Sequence, residues 1–248
     1  MVGEKRKRRK RLKFIVGCFF SLACLLLLAT VVAVKLFTVE NIEVVGNKLY
    51  DNQVIEDAVL NDEYSWNSLY VYFKHRFFEP EVIPFVDTME VSLSPPHTIQ
   101  IQVYEKGILG YLYLDDLGQN VYFDKDGIVI ETSFDIIKNV PKITGIQVEQ
   151  IVLFEKLPIK EKNTLKNLLS LTQMLKKYRL IPDAINYDAT DGYILTYANA
   201  QVLLGQVKNL NEKIVRLSYI MPELEGQNGV LHLENWTENT TDITFEKK

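Results

Sequence analysis

The chain is poor in the residues that carry most site chemistry. Its 248 residues include two cysteines, three histidines and two tryptophans. Cys18 and Cys24 both lie inside one apolar run, so no residue after 24 can form a disulfide or act as a thiolate ligand or nucleophile. Two such thiols read as small buried hydrophobes, with palmitoylation as the alternative. His75, His97 and His232 stand alone on separate segments, which argues against a histidine metal centre. No Gly-x-Ser-x-Gly elbow, Walker loop or Gly-x-Gly-x-x-Gly turn occurs. Asp124-x-Asp126-Gly127 starts like a calcium loop but lacks the third acidic position and the closing glutamate. It reads as a turn, as does Asp188 with Asp191. No cofactor or metal is expected, and no enzymatic activity.

Charge is scarce in one place and dense in another. Residues 1–13 hold eight bases and one acid, a charge of +7, against -11 for the other 235 residues. From Phe14 to Val34 there are 21 residues without a charge. As a helix this run is ~32 Å long, enough to cross a hydrocarbon core of about 30 Å. A basic arm for nucleic acid would float free. Beside a spanning helix, Arg8, Arg9, Lys10, Arg11 and Lys13 read instead as the cytoplasmic anchor of the positive-inside bias. That orientation is a single-pass type II protein with residues 36–248 outside. Cleavage after Val31-Val32-Ala33 is the rival, but the apolar run is about twice a signal-peptide core.

The remainder reads as two α+β segments. Phe37–Val45 alternates apolar and polar residues and ends at Gly46-Asn47, a strand and a turn. Asp51 is placed to cap a helix bearing Val54, Ile55, Ala58 and Val59 on one face. Leu69, Tyr72, Phe73 and Arg76 mark a second helix. Val86–Leu93 and Thr98–Glu105 flank Ser94-Pro95-Pro96-His97, a hairpin signal. From residue 106 short strands recur at 108–114, 118–123, 127–132, 185–187, 193–197, 201–205 and 229–233. The turn Asp115-Asp116-Leu117-Gly118 separates the first two. A further strand is expected at 242–246. One helix carries Leu165, Leu168, Leu169, Thr172 and Leu175. Another is expected to start at an Asn209/Glu212 capping pair, bury Leu210, Ile214, Leu217 and Met221, and stop at Pro222. The boundaries are 1–13, 14–36, 37–105, 106–235 and a tail, 236–248.

Several local patterns in this order resemble the FtsQ/DivIB family of bacterial cell-division proteins. Phe37-Thr38-Val39 through Ile42-Glu43-Val44-Val45-Gly46-Asn47 resembles the opening strand of its POTRA domain. Pro95 and Ile99-Gln100-Ile101-Gln102-Val103-Tyr104-Glu105-Lys106 resemble the closing strand, with Gly107 where the family often has proline. Val121-Tyr122-Phe123-Asp124 with Asp126-Gly127 resembles a signature hairpin. Val140-Pro141-Lys142-Ile143-Thr144-Gly145 resembles Leu-Pro-x-x-x-Gly. Val202-Leu203-Leu204-Gly205, Glu212-Lys213-Ile214 and Leu217 resemble a late strand and helix.

The resemblance implies a cytoplasmic tail, one membrane helix, a POTRA domain (β-α-α-β-β) and a mainly antiparallel α+β domain outside. It implies a non-enzymatic scaffold at the division septum that binds FtsB (DivIC) and FtsL through the second domain. The partner-binding edge is expected at Val230, Leu231, His232, Leu233 and Glu234, with Trp236 as an aromatic anchor. Leu231 and Leu233 also read as core. The POTRA domain is expected to dock other division proteins near Lys48–Ile55. Two rivals remain. An envelope enzyme acting on wall polymer predicts a polar cleft with shifted carboxylates. A type II glycoprotein predicts glycans at Asn235 or Asn239, where Asn-x-Thr triplets stand.

Overall fold

The computed structural model describes residues 2–248 apart from Glu79, Pro95, Leu117, Glu161 and Thr241, with side chains from Lys13 onward except Lys162. The side chains of Arg8, Arg9, Lys10 and Arg11, and parts of the turns at 94–97, 115–118 and 239–241, therefore lie outside the described residues. The chain forms two compact units, Met1–Glu105 and Lys106–Lys248.

The first unit begins with α1, Val2–Leu36, a single helix through both the basic segment and the apolar run. Its stretch Lys13–Leu36 has a mean hydropathy of 2.7, is unburied, and is long and apolar enough to cross a membrane. Then follow β1 (Asn41–Val45), α2 (Asn52–Val59), α3 (Ser68–Phe77), β2 (Val86–Ser94) and β3 (Thr98–Glu105). The sheet order is β1-β3-β2. Central β3 runs parallel to β1 and antiparallel to β2. Alternation decides its faces: Ile99, Ile101 and Val103 are buried with Ile55, Val59 and Val71 from the two helices.

Three local expectations need correction here. Asp51 occupies the N-cap of α2, but its side chain makes no capping bond among the described residues, and Val54 is exposed. The buried face of α3 is Ser68 and Val71, not Phe73 and Arg76. The effective cap of α3 is Asn67, whose carboxamide oxygen accepts from the Tyr70 amide at 2.9 Å. Its NH2 donates to the Ala33 carbonyl at 2.9 Å, pinning α3 to the end of α1.

Among the described residues the second unit is one nine-stranded mixed sheet with two α-helices. Its strands are β4 (Ile108–Leu114), β5 (Gln119–Asp124), β6 (Val129–Ser133), β7 (Lys142–Thr144), β8 (Ala184–Asp188), β9 (Gly192–Thr196), β10 (Ala200–Gly205), β11 (Gly229–His232) and β12 (Thr244–Lys247). The helices are α4 (Lys162–Lys177) and α5 (Leu210–Ile220). The order is β12-β11-β10-β9-β8-β7-β4-β5-β6. Most neighbours are antiparallel; β4–β7, β7–β8 and β10–β11 are parallel. Short β7 joins the β4–β6 hairpins to the β8–β10 meander. Gly145 ends β7 at φ +80°, where a Cβ would lie 1.8 Å from the Tyr187 carbonyl oxygen, so this turn admits only glycine.

α4 buries Leu165, Leu168, Leu171 and Leu175 in the sheet core, with Thr172 satisfied by the Leu168 carbonyl. Leu171 belongs to this face, and Leu169 is only partly buried. Asn209 does stand at the N-cap of α5, but in left-handed backbone geometry and with no side-chain capping bond among the described residues. The helix then buries Lys213 as well as Ile214 and Leu217. Pro222 does not stop the chain's helical path; it lies in a 3-10 turn, Met221–Leu224, that continues from α5. The strand expected at 242–246 forms at 244–247, as the outermost strand at its end of the sheet.

Candidate partner-binding edge

The edge expected at residues 230–234 is already occupied. β11 pairs with β10 on one side and with β12 on the other, Val230 opposite Glu246 and His232 opposite Thr244. Its ladder groups are therefore used within the chain, and the outer strand at this end is β12. Among the described residues no strand pairs with the far side of β12. The opposite margin is better covered: the Val129 amide of β6 donates to Glu155 and the Phe154 amide to Val129, both at 2.8 Å. β12 is thus the open end, with Thr244, Glu246 and Lys247 exposed and Phe245 half-buried.

The sequence-derived residues divide by strand alternation. Leu231 and Leu233 point into the core, while Val230, His232 and Glu234 are half-buried. Trp236 is 5% exposed, so it is not a free anchor. It packs in the main core cluster with the Arg216 guanidinium 4.7 Å over its ring. Its indole nitrogen is buried with no hydrogen-bond partner among the described residues, as is Glu234 Oε2. A charge at Leu233 or Trp236 would unfold this corner rather than probe a surface.

Gly229 lets β12 approach. A Cβ there would meet the Glu246 carbonyl oxygen at 2.4 Å and the Phe245 ring at 2.5 Å. His232 then staples the two strands. Its Nδ1 is 3.0 Å from Glu234 Oε1 and its Nε2 is 3.7 Å from Glu246 Oε2. The Glu234 hydrogen bond raises the imidazole above its ordinary pKa, against the pull of burial and with help from Glu246.

Lys213 was not singled out by its charge, yet it is 2% exposed. β10 bulges between Leu203 and Gly205 and so releases carbonyls from the ladder. The Lys213 ammonium gathers them, donating to Leu204 O at 2.7 Å and to Gln206 O and Glu234 O at 3.3 Å. Burial lowers its pKa, and the Glu234 charge partly offsets this. A groove of about 660 Å³ runs past Thr190, Gln206, Lys213, Glu234 and Trp236. A neighbouring one of about 320 Å³ reaches His232, Asp242 and Thr244.

The acidic turns are turns. Asp124 Oδ1 accepts from the Asp126 and Ile128 amides at 2.9 Å. Asp188 Oδ1 accepts from Thr190 at 2.7 Å and Asp191 at 3.0 Å, which lowers its pKa. Asp62 is lowered too, chiefly by the Lys74 ammonium at 2.7 Å. A carboxyl held ionised is the opposite of what a general acid requires.

A family model described as the C-terminal domain of cell division protein FtsQ/DivIB matches residues 112–235, half of the chain. Cell division protein DivIB of Clostridium botulinum is 27% identical over 175 residues, 69% of this chain and 66% of that protein. The chain thus spans just under two thirds of that relative. The family match runs from inside β4 to just past β11 and does not include β12.

Proposed function

The chain belongs to the FtsQ/DivIB family of cell-division proteins, and on that premise we propose that it is a non-enzymatic scaffold of the division septum. α1 holds it in the membrane as a single-pass type II protein, with Lys13 and the basic residues before it on the cytoplasmic side. The second unit binds FtsB (DivIC)-like and FtsL-like partners at the β12 end of the sheet. The observation that carries this reading is the open outer side of β12 beside two grooves. An extended partner segment adding there would pair its backbone with Thr244–Lys247 and set side chains toward His232 and Asp242. Val230, His232 and Glu234 then act by holding β12 in place, not by touching a partner strand directly. The POTRA domain docks further division proteins, with Lys48–Ile55 as the proposed region.

Two measurements test this. A fluorescent fusion of the full chain should form a mid-cell band in dividing cells; an even distribution around the cell would refute the septal role. Partner capture should be lost on removal of residues 244–247 in a chain that stays folded. Retained capture would refute the edge.

A further inference from the structure

α3 carries its aromatic residues on the wrong side for a core helix. Ser68 and Val71 face inward, while Tyr70, Phe73 and Phe77 share an outer face at intervals of three and four residues. They are 37%, 48% and 72% exposed, and Trp66 in the preceding turn is 46% exposed. Phe73 and Phe77 stack with centroids 6.0 Å apart, while Tyr70 packs on Tyr64 at 5.7 Å and its hydroxyl donates to Asp62 Oδ2 at 2.9 Å. Among the described residues, none of these rings belongs to the apolar cluster of this unit.

Their position relative to α1 is fixed by hydrogen bonds. The Asn67 carboxamide donates to Ala33, inside the apolar stretch, and the Ser68 amide donates to Phe37 at 2.7 Å. Val39 donates to the Trp66 carbonyl at 2.8 Å. Trp66 therefore stands where α1 would leave a bilayer, the level at which tryptophan and tyrosine concentrate. α3 itself has no acidic residue and ends in Lys74, His75 and Arg76. Asp62 in the loop before it pairs with Lys74, and exposed Glu63 and Glu81 stand nearby, the Glu81 carboxylate accepting from the Asn61 side chain at 2.9 Å.

We propose that Trp66, Tyr70, Phe73 and Phe77 form an interfacial stripe that seats α3 on the headgroup region of the same bilayer that α1 spans. The proposal rests on the spanning reading of α1. It makes the membrane-proximal unit a fixed pedestal rather than a freely swivelling one, because helix and stripe together hold it at two places.

Tryptophan fluorescence tests it, since the other indole, Trp236, is buried and gives a constant background. The full chain is placed in nanodiscs of equal phosphatidylcholine and phosphatidylglycerol, with lipids brominated near the headgroup or near the chain ends. The Trp66 signal is taken as the difference from Trp66→Phe. A second reporter, Phe77→Trp in the Trp66→Phe background, reads the far end of α3. Both indoles should lose most of their emission to shallow bromines, less to deep ones, and resist acrylamide. Quenching of Trp66 alone would overturn the seating of α3. Co-elution with discs while both indoles stay open to acrylamide would overturn the stripe and leave the spanning helix standing. Failure to co-elute would overturn both. Protection that requires an added division protein would assign the stripe to protein docking and overturn the lipid assignment.

Discussion

Gly229→Val separates the sheet edge from the core beneath it. The new side chain begins at a Cβ lying 2.4 Å from the Glu246 carbonyl oxygen and 2.5 Å from the Phe245 ring, so β12 must move away. β11 keeps its other partner, since the Gly229 amide donates to Asn199 and the strand runs parallel to β10. The cost of losing β12 is small. Four paired residues make on the order of four ladder bonds, worth ~1 kcal/mol net each. Half-buried Phe245 adds about 1 kcal/mol. Releasing four residues returns ~1–2 kcal/mol of backbone entropy each. The balance lies within a few kcal/mol of zero, so the variant should melt near the parent temperature while amides 244–247 exchange freely. A partner that needs β12 in place must then restore it, at a cost of about 1–3 kcal/mol, or roughly 5–150-fold in affinity. Hydrogen exchange and binding of a purified partner segment, measured on the same sample, check this. Unchanged binding with free exchange at 244–247 would refute the reasoning. Tighter binding would mean that the partner takes β11 and that β12 is a plug.

Lys213→Met keeps the packing volume but strands the carbonyls of Leu204, Gln206 and Glu234. Thermal melting should show a loss of about 2–4 kcal/mol, as unpaired buried acceptors cost ~1–3 kcal/mol each and the relieved burial of the charge offsets part of it. Tyr193→Phe should be neutral or stabilising by about 1 kcal/mol in the same assay, since its buried hydroxyl has no hydrogen-bond partner among the described residues. The His232 staple has a definite pH sign. Its folded pKa is raised from 6.5, so its contribution is fully present below about pH 6.5 and is lost as pH rises through the elevated value. β12 amides should accordingly exchange faster at pH 8 than at pH 6 after correction for intrinsic rates, and His232→Gln should flatten that difference.

The legible parts of this fold were those set by period and by local turn chemistry. Strand β3 reads directly from Ile99-Gln100-Ile101-Gln102-Val103, since period-two alternation needs no knowledge of the rest of the fold. α1 reads from an uncharged run whose length alone is decisive. The open edge did not read, because pairing partners are set by topology. Gly229-Val-Leu-His has the same pattern whether its outer side is bare or covered, and β12 is four residues with no strong alternation. Trp236, expected as an aromatic anchor, lies in the core for a related reason. An indole near a strand end suits an interface or a core equally, and the core depth contributed by α5 decides between them. Lys213 was hidden by its charge. Only the bulge at Gly205 shows why a cation belongs inside, and the closeness of Gly205 to Glu234 is a three-dimensional fact.

An open strand must also avoid pairing with its own copies, and β12 carries the means. Antiparallel self-pairing centred on Glu246 would set its two carboxylates directly opposite each other on the added ladder, and like charges opposed across strands are destabilising. Exposed Lys247 discourages flat stacking at the adjacent position. The same charges select a partner: a strand placing a base against Glu246 and an acid against Lys247 gains where a second β12 loses. Glu246→Lys should therefore weaken the natural partner by about 2–5-fold, since an exposed pair is worth ~0.2–1 kcal/mol. The deficit should shrink as salt rises. Self-association should stay low, because two opposed lysines repel as two glutamates do, whereas Glu246→Gln, which removes the charge, should raise it at low salt, read by analytical ultracentrifugation. A charge reversal that changed neither partner affinity nor its salt dependence would show that Glu246 serves only His232, 3.7 Å away, and that the edge chooses its partner by shape.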